Sequence, residues 1–310
     1  MKVFITGATG FVGSATVREL LDSGHTVLGM ARSDEGAKAL ERAGAQAHRG
    51  DLTDLESLRS GASASDAVIH LGFIHDFSRF QEVCEVDRRA IEALGGALKG
   101  SDRPLIVTSG LAALTQGRLA TENDPPRPVS EEYPRASEQT AAACEKQGVR
   151  TMTVRLPQVH DTRKQGLITY SIQMAREKGL AAYLGDGSNR WAAVHVSDAA
   201  RVYRLALEKG RIGARYHAIA EEGVSAREIA EAIGRGLKVP ARSITPEQVA
   251  ENLGWLARFA SWSLAGSSEQ TRKELGWTPA GPGLIADLNN MNYSHEQAPA
   301  LSPATASTGR

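Results

Sequence analysis

The sequence predicts an α/β fold, a doubly wound parallel sheet with a small C-terminal region capping it. Through the first 155 residues, short apolar runs alternate with longer amphipathic stretches, the pattern of successive βα units. A glycine-punctuated turn joins the first apolar run to the first amphipathic stretch. After Arg155 the rhythm loosens, as it does where a chain leaves a regular sheet for a capping region.

Each element follows from its own pattern. Val3–Ile5, Thr26–Met30, Ala67–Leu71 and Leu105–Val107 read as buried strands, and Gln46–His48 and Thr151–Arg155 as weaker ones. Helical periodicity covers Val12–Leu21, Glu35–Ala43, Asp54–Arg59, Phe80–Leu98 and Ser137–Lys146. Gly24, Gly44, Gly100 and Gly148 stand just past helical stretches, where a left-handed residue closes the last turn. Further on come a helix over Ile168–Glu177, a strand over Trp191–Val196 and a helix over Ser197–Glu208. Ser225 and Glu228 have capping-box spacing at the start of a helix reaching Leu237. Pro246–Gly254, Leu256–Leu264 and Ser268–Leu275 also read as helices. The sheet domain is therefore expected over 1–155, rejoined by about 190–220, with the capping region built from 156–189 and 221–292. From Ser294 the chain is small and rich in Pro, Ser, Ala and Thr, so a disordered tail is expected over 293–310.

Composition narrows the partners. The 310 residues carry 36 Lys plus Arg against 36 Asp plus Glu, so no net charge steers the chain to nucleic acid or a membrane surface. Two cysteines, Cys84 and Cys144, are too few for a disulfide framework and fall inside helices as small buried residues. The N-terminus opens on a strand with no room for a targeting run, and no stretch is long and apolar enough for a membrane span. The expectation is a cytoplasmic protein with a small-molecule partner. A homo-oligomer is compatible with it.

The run Thr6-Gly7-Ala8-Thr9-Gly10-Phe11-Val12-Gly13 lies between a strand and a helix. Gly7 permits the tight turn, Gly10 lets backbone approach a pyrophosphate, and Gly13 lets the helix pack closely on the strand. The free N–H groups and positive end of the helix then face the anion. Gly7, Thr9, Gly10, Phe11 and Val12 are accordingly the expected dinucleotide contacts of a Rossmann-type fold.

The G-x-x-G-x-x-G spacing resembles the short-chain dehydrogenase/reductase superfamily, in its extended or atypical branch of NAD-dependent epimerase/dehydratase-like proteins. Gly50-Asp51-Leu52, the Asp66–Gly72 segment, Arg155-Leu156-Pro157 and Ala193–Asp198 agree with it, so the resemblance covers roughly residues 1–290. It implies that Asp51 and Leu52 approach the adenine, and that Leu71, Gly72, Thr108 and Leu156 lie beside the cofactor. At the end of the second strand, Arg32 can pair with a 2′-phosphate and Ser33 adds a hydroxyl. That corner favours NADP(H). NAD(H) is the alternative, because Asp34 or Glu35 could reach a ribose.

The resemblance also implies a tyrosine proton donor, a lysine four residues later and a serine or threonine on the substrate oxygen. Here Ser109 or Thr108 must supply the hydroxyl, since Gly110 stands where the family most often has it. Tyr133 is followed four residues on by Ser137. Aligning Ser137-Glu138 with the family's serine-lysine pair instead puts Glu138 at the lysine and Pro134 at the tyrosine. The lysine is absent either way. Acid candidates are His75, Asp76, Tyr133, His160 and His195, and the eight histidines lack metal-like spacing, so no metal is expected. Trp191, Trp255 and Trp262 read as packing residues, the last two on one helical face. The function expected is an NADP(H)-dependent oxidoreductase acting on a carbonyl or alcohol of a small organic molecule. The alternative is a non-redox enzyme (an epimerase, isomerase or lyase) or a nucleotide-sensing regulator on the same fold.

Overall fold

The computed structural model describes residues 1–111, 114, 115 and 117–294; beyond Ser294, the expected tail lies outside the described residues. The first part of the chain runs β1 (Lys2–Thr6), α1 (Phe11–Asp22), β2 (Thr26–Ala31), α2 (Asp34–Arg42), β3 (Gln46–Arg49), α3 (Leu55–Ser63), β4 (Ala67–His70) and α4 (Phe80–Leu98). It continues through β5 (Pro104–Gly110), α5 (Ser137–Lys146), β6 (Arg150–Leu156), β7 (Gln158–His160), α6 (Ile168–Lys178), β8 (Ala181–Leu184), β9 (Arg190–His195) and α7 (Val196–Lys209). Then follow β10 (Arg215–His217), β11 (Glu221–Ser225), α8 (Ala226–Leu237), β12 (Ala241–Ile244), α9 (Val249–Leu253), α10 (Glu269–Leu275) and α11 (Leu284–Asn290).

Seven parallel strands form the main sheet in the order β10-β6-β5-β4-β1-β2-β3. The strand order reverses between β1 and β4, so the loops leaving their carboxyl ends diverge and open a crevice there. Side chains alternate across β1. Val3 and Ile5 join Val17 and Leu20 of α1, Leu40 of α2 and Val202 of α7 on one face. Phe4 points the other way, onto Leu58 of α3, Ile91 and Leu94 of α4, and Ala141 of α5. Both faces are covered, which is why β1 and β4 read as unbroken apolar runs.

The elements outside the main sheet carry a core of their own, in which Trp191 of β9 meets Ile168 of α6, Ile229 and Ile233 of α8, and Leu284 and Leu288 of α11. A three-stranded sheet β11-β9-β7 and a two-stranded pair β12-β8 frame it. The capping box at Ser225 and Glu228 is formed, and Gly24, Gly44, Gly100 and Gly148 all take positive φ.

Several elements depart from the sequence expectation. β7, β8, β10, β11 and β12 are three to five residues long, too short to show a period, and α11 is likewise unanticipated. The helix expected over Pro246–Gly254 is a 3₁₀ turn (Pro246–Gln248) followed by α9. The one expected over Leu256–Leu264 is a 3₁₀ helix that ends at Phe259. Sheet pairing wins there: the Leu264 N–H donates to the Arg190 carbonyl at 2.7 Å and pulls the chain onto β9. Trp255 and Trp262 therefore do not share a helical face.

Candidate active site

The glycine loop has the shape an anion needs. Gly7 sits at φ +68°, and a Cβ there would lie 2.8 Å from Gly72, so the loops after β1 and β4 touch backbone to backbone. A Cβ on Gly13 would stand 1.9 Å from the Gly7 carbonyl oxygen, which is how closely α1 packs on the turn. Gly10 precedes α1 with no side-chain cap, leaving the first N–H groups of the helix unclaimed by side chains. Thr9 and Gly10 are exposed above them. Phe11 and Val12 are half-buried in the first turn, and Lys164 brings its ammonium 5.9 Å from the Phe11 ring centre. This cradle fits a dinucleotide pyrophosphate.

At the end of β2, Arg32 is largely exposed and its Nε lies 3.8 Å from Asp51 Oδ2. Asp34 pairs with Arg49 at 3.2 Å, not with Arg32. Ser33 accepts from the Gly36 N–H as the cap of α2, and its own hydroxyl proton remains available. Burial raises the Asp51 pKa, but hydrogen bonds from Thr53 and the Arg32 charge outweigh it, so the carboxyl stays below its usual value. The Leu52 side chain packs where a Cβ on Gly72 would sit. The half-buried Leu71 donates its N–H to the Thr6 carbonyl. The Leu156 carbonyl accepts the N–H of Leu111 at 2.8 Å, stitching the exit of β6 to that of β5.

At the carboxyl end of β5, Ser109, Tyr133 and Arg135 line one recess, together with Arg127 and Leu114. The Arg127 guanidinium lies 4.9 Å from the centre of the Tyr133 ring. Arg135 was not among the residues singled out from the sequence, yet it organises the recess. Its Nη2 donates to the Thr108 carbonyl at 3.2 Å, its Nε donates to Ser137 Oγ at 3.0 Å, and its guanidinium stacks 4.4 Å from the Phe73 ring centre. The Thr108 hydroxyl bonds Tyr203 of α7 at 2.9 Å.

Behind Arg135 runs a buried polar chain. Ser137 donates to Asp87 Oδ2 at 2.6 Å, Asp87 Oδ1 faces His70 Nε2 at 3.2 Å, and His70 Nδ1 faces Thr6 Oγ1 at 2.7 Å. Thr6 Oγ1 also accepts the Gly72 N–H, which connects the glycine loop to the recess through five side chains: Thr6, His70, Asp87, Ser137 and Arg135. Burial raises the Asp87 pKa, but His70, Arg135 and Ser137 outweigh it, so the pKa is lowered and the carboxylate is held ionised.

Glu138, at one alignment of the missing lysine, also lines the recess, and its Oε2 lies 3.4 Å from Arg215 Nε. It receives Nε and Nη2 of the fully buried Arg155 at 2.9 and 2.8 Å. Arg155 also donates to the Asp124 carbonyl and faces His217 Nε2.

The other acid candidates are occupied. Asp76 caps a short 3₁₀ turn (Phe77–Arg79), accepting from Ser78 and pairing with Arg79 at 2.9 Å. His75 stacks edge-on against Phe73, and desolvation, with the charges of Arg135 and Lys164, lowers its pKa. His160 is fully buried and its Nδ1 meets Asp287 of α11 at 2.7 Å, so it has no surface to offer a substrate. His195 caps α7 through Ser197, with its ring centre 5.9 Å from that of His160. Among the described residues, no group of three or more His, Cys, Asp or Glu could hold a metal, and no helix is long and apolar enough to cross a membrane.

Fold and site together define a nucleotide-binding α/β protein with its ligand crevice at the switch in strand order. The chain belongs to the NAD dependent epimerase/dehydratase family, whose profile matches residues 3–219. An uncharacterised protein of Saccharomyces cerevisiae is 45% identical over 95% of this chain and 99% of its own length. A 2-alkyl-3-oxoalkanoate reductase of Stenotrophomonas maltophilia is 30% identical over 67% of this chain and 66% of its own. The Thermus thermophilus UDP-glucose 4-epimerase, solved in complex with NAD, superposes with a TM-score of 0.73 at 21% identity, covering 95% of this chain and 98% of that one. The class is thus an NAD(P)-dependent enzyme of dehydrogenase, reductase or epimerase type.

Proposed function

We propose that the protein is an NADP(H)-dependent oxidoreductase that interconverts a carbonyl and an alcohol on a small organic molecule. The observation that carries this reading is the single recess in which Ser109, Tyr133 and Arg135 meet, at the carboxyl end of the parallel sheet. The dinucleotide, when bound, supplies the electron pair. Tyr133 supplies the proton: burial raises its pKa above the ordinary phenol value, with Arg135 opposing and Glu138 adding, so it stays protonated at neutral pH. Ser109, which lines the same recess, is the hydroxyl assigned to orient the same substrate oxygen. Arg135 brings the fixed positive charge that the tyrosine segment otherwise lacks, and it favours negative charge growing on that oxygen. The buried Asp87–Ser137 pair holds Arg135 in place.

Arg32, open to solvent beside Asp51, supports NADP(H) over NAD(H). Residues 156–189 and 221–292 are assigned to the substrate-capping region. The Stenotrophomonas relative, a reductase of an oxo acid by its name, supports carbonyl chemistry. One observation favours a second reading. With Glu138 tied to Arg155, no lysine stands on the tyrosine segment, so the fold could serve non-redox chemistry or nucleotide sensing.

The test is Tyr133→Phe. The chemical step should slow by roughly 10²–10⁴, with NADPH affinity unchanged. Turnover that survives this change but collapses in His75→Ala or Asp76→Ala moves the acid to the loop after β4. Tight NADPH binding without turnover of any carbonyl by the wild type supports the non-redox reading.

A further inference from the structure

A cavity of about 60 Å³ lies among α6, β8, α8 and residues 249–260, apart from the glycine loop. Its walls come mainly from Ile168, Ala175, Trp191, Ile229, Ile233 and Leu256. The polar groups it meets are neutral, among them Ser171, Asn189 and Asn252; none of its lining residues is charged. A phosphate or carboxylate there would be stripped of water with no cation to answer it, so a nucleoside diphosphate does not fit this lining. Apolar walls around a preformed void are what a hydrocarbon group needs. Since one water-sized group needs roughly 10–15 Å³ by this kind of measure, the space admits a chain of about four or five heavy atoms.

The cavity and the recess have no lining residue in common, but Trp262 joins their linings. Trp191 Nε1 and Asn189 Nδ2, both from cavity-lining residues, donate to the Trp262 carbonyl at 3.0 and 3.2 Å. The Trp262 ring lies under Arg127, 5.1 Å from its guanidinium carbon, and the same guanidinium covers Tyr133. Phe259 and Trp255 extend this aromatic row to Tyr170 of α6. One residue, Trp262, therefore packs its ring on Arg127 of the recess and gives its carbonyl to two residues that line the cavity.

We infer that the cavity receives the apolar end of the substrate, a short alkyl chain or a single ring, while the carbonyl lies beside Tyr133. The inference rests on the carbonyl-reduction reading for the second half of that statement only. Binding is measured first without chemistry, by calorimetry with straight-chain alcohols from 1-propanol to 1-hexanol and with hexanoate. Affinity should rise about fourfold per methylene up to pentanol, and hexanoate should bind at least tenfold more weakly than 1-hexanol. Ala230→Phe and the more exposed Ala226→Leu both narrow the cavity. In either variant 1-hexanol affinity should fall at least tenfold with NADPH affinity unchanged. Binding that ignores chain length, or that neither variant weakens, overturns the site. Straight-chain 2-ketones from butan-2-one to heptan-2-one are then tried with NADPH. A kcat/KM that climbs with length in the wild type and flattens in the variants supports the assignment. Turnover indifferent to length overturns the cavity as the substrate's seat. Alcohol binding without turnover of any ketone upholds the cavity and removes only the carbonyl-reduction reading.

Discussion

Replacing Glu138 by glutamine removes the negative charge that faces the buried Arg155 and, at 3.4 Å, the half-buried Arg215. The Arg155 side chain is 0% exposed and that of Glu138 is 6%. Two hydrogen bonds, at 2.9 and 2.8 Å, join them, and the remaining Arg155 donors go to the Asp124 carbonyl and His217. Breaking a buried pair by neutralising one member typically costs about 3–5 kcal/mol, because the other charge is left without an answer. Glutamine keeps one acceptor oxygen, so the lower end, about 3 kcal/mol, applies. For a domain of this size each kcal/mol moves the midpoint by about 2–4 °C, giving a fall of roughly 6–12 °C. Glu138→Lys should be worse, since it sets a third cation beside Arg155 and Arg215. The lysine of the wider superfamily therefore cannot be restored here by one substitution. The double variant Glu138→Leu with Arg155→Met removes the two buried charges, leaves Arg215 within reach of water, and should recover most of the loss. Urea unfolding followed by tryptophan fluorescence measures all four proteins. A Glu138→Gln midpoint within about 1 kcal/mol of wild type, or a Glu138→Lys protein as stable as wild type, refutes the reasoning.

Arg32→Ala should weaken NADPH by about 1.5–3 kcal/mol, roughly ten- to a hundredfold, while NADH changes little; equal loss for both in titration would make Arg32 a shelf for the adenine instead. Gly13→Ala should abolish dinucleotide binding and lower the melting temperature, because its Cβ would stand 1.9 Å from the Gly7 carbonyl oxygen; a variant that binds NADPH normally contradicts that packing. Burial lowers the His160 pKa, against the pull of Asp287 and Glu221, so the folded value lies below the ordinary value near 6.5. The stability this contributes is complete above that pH and is lost as pH falls toward the folded value. With the intrinsic pH dependence of exchange divided out, hydrogen-exchange protection in α11 should accordingly fall between pH 7 and pH 5, and unchanged protection there would count against the coupling.

What the chain determined by itself is local. A strand, three spaced glycines and a helix specify the cradle, because the turn at Gly7 and the close packing at Gly13 are demands on backbone within a few residues. The long helices Phe80–Leu98 and Ser137–Lys146 were legible to the residue because several turns repeat the same apolar face. Cys84 and Cys144 ride on those helices and are buried, as their positions implied. Only the tertiary structure decided what depends on partners far along the chain. Asp87 acquires its role from His70 and Ser137, 17 and 50 residues away. Arg135 is fixed in the recess, beside Arg127, because Phe73, Thr108 and Ser137 converge on it from three separate segments. His160, which offered itself as an acid in the sequence, is sealed in by Asp287, 127 residues later. The short strands β7, β8, β10, β11 and β12 exist because an edge or a neighbouring strand takes up their backbone groups, and a run of three to five residues carries no period that could announce the partner.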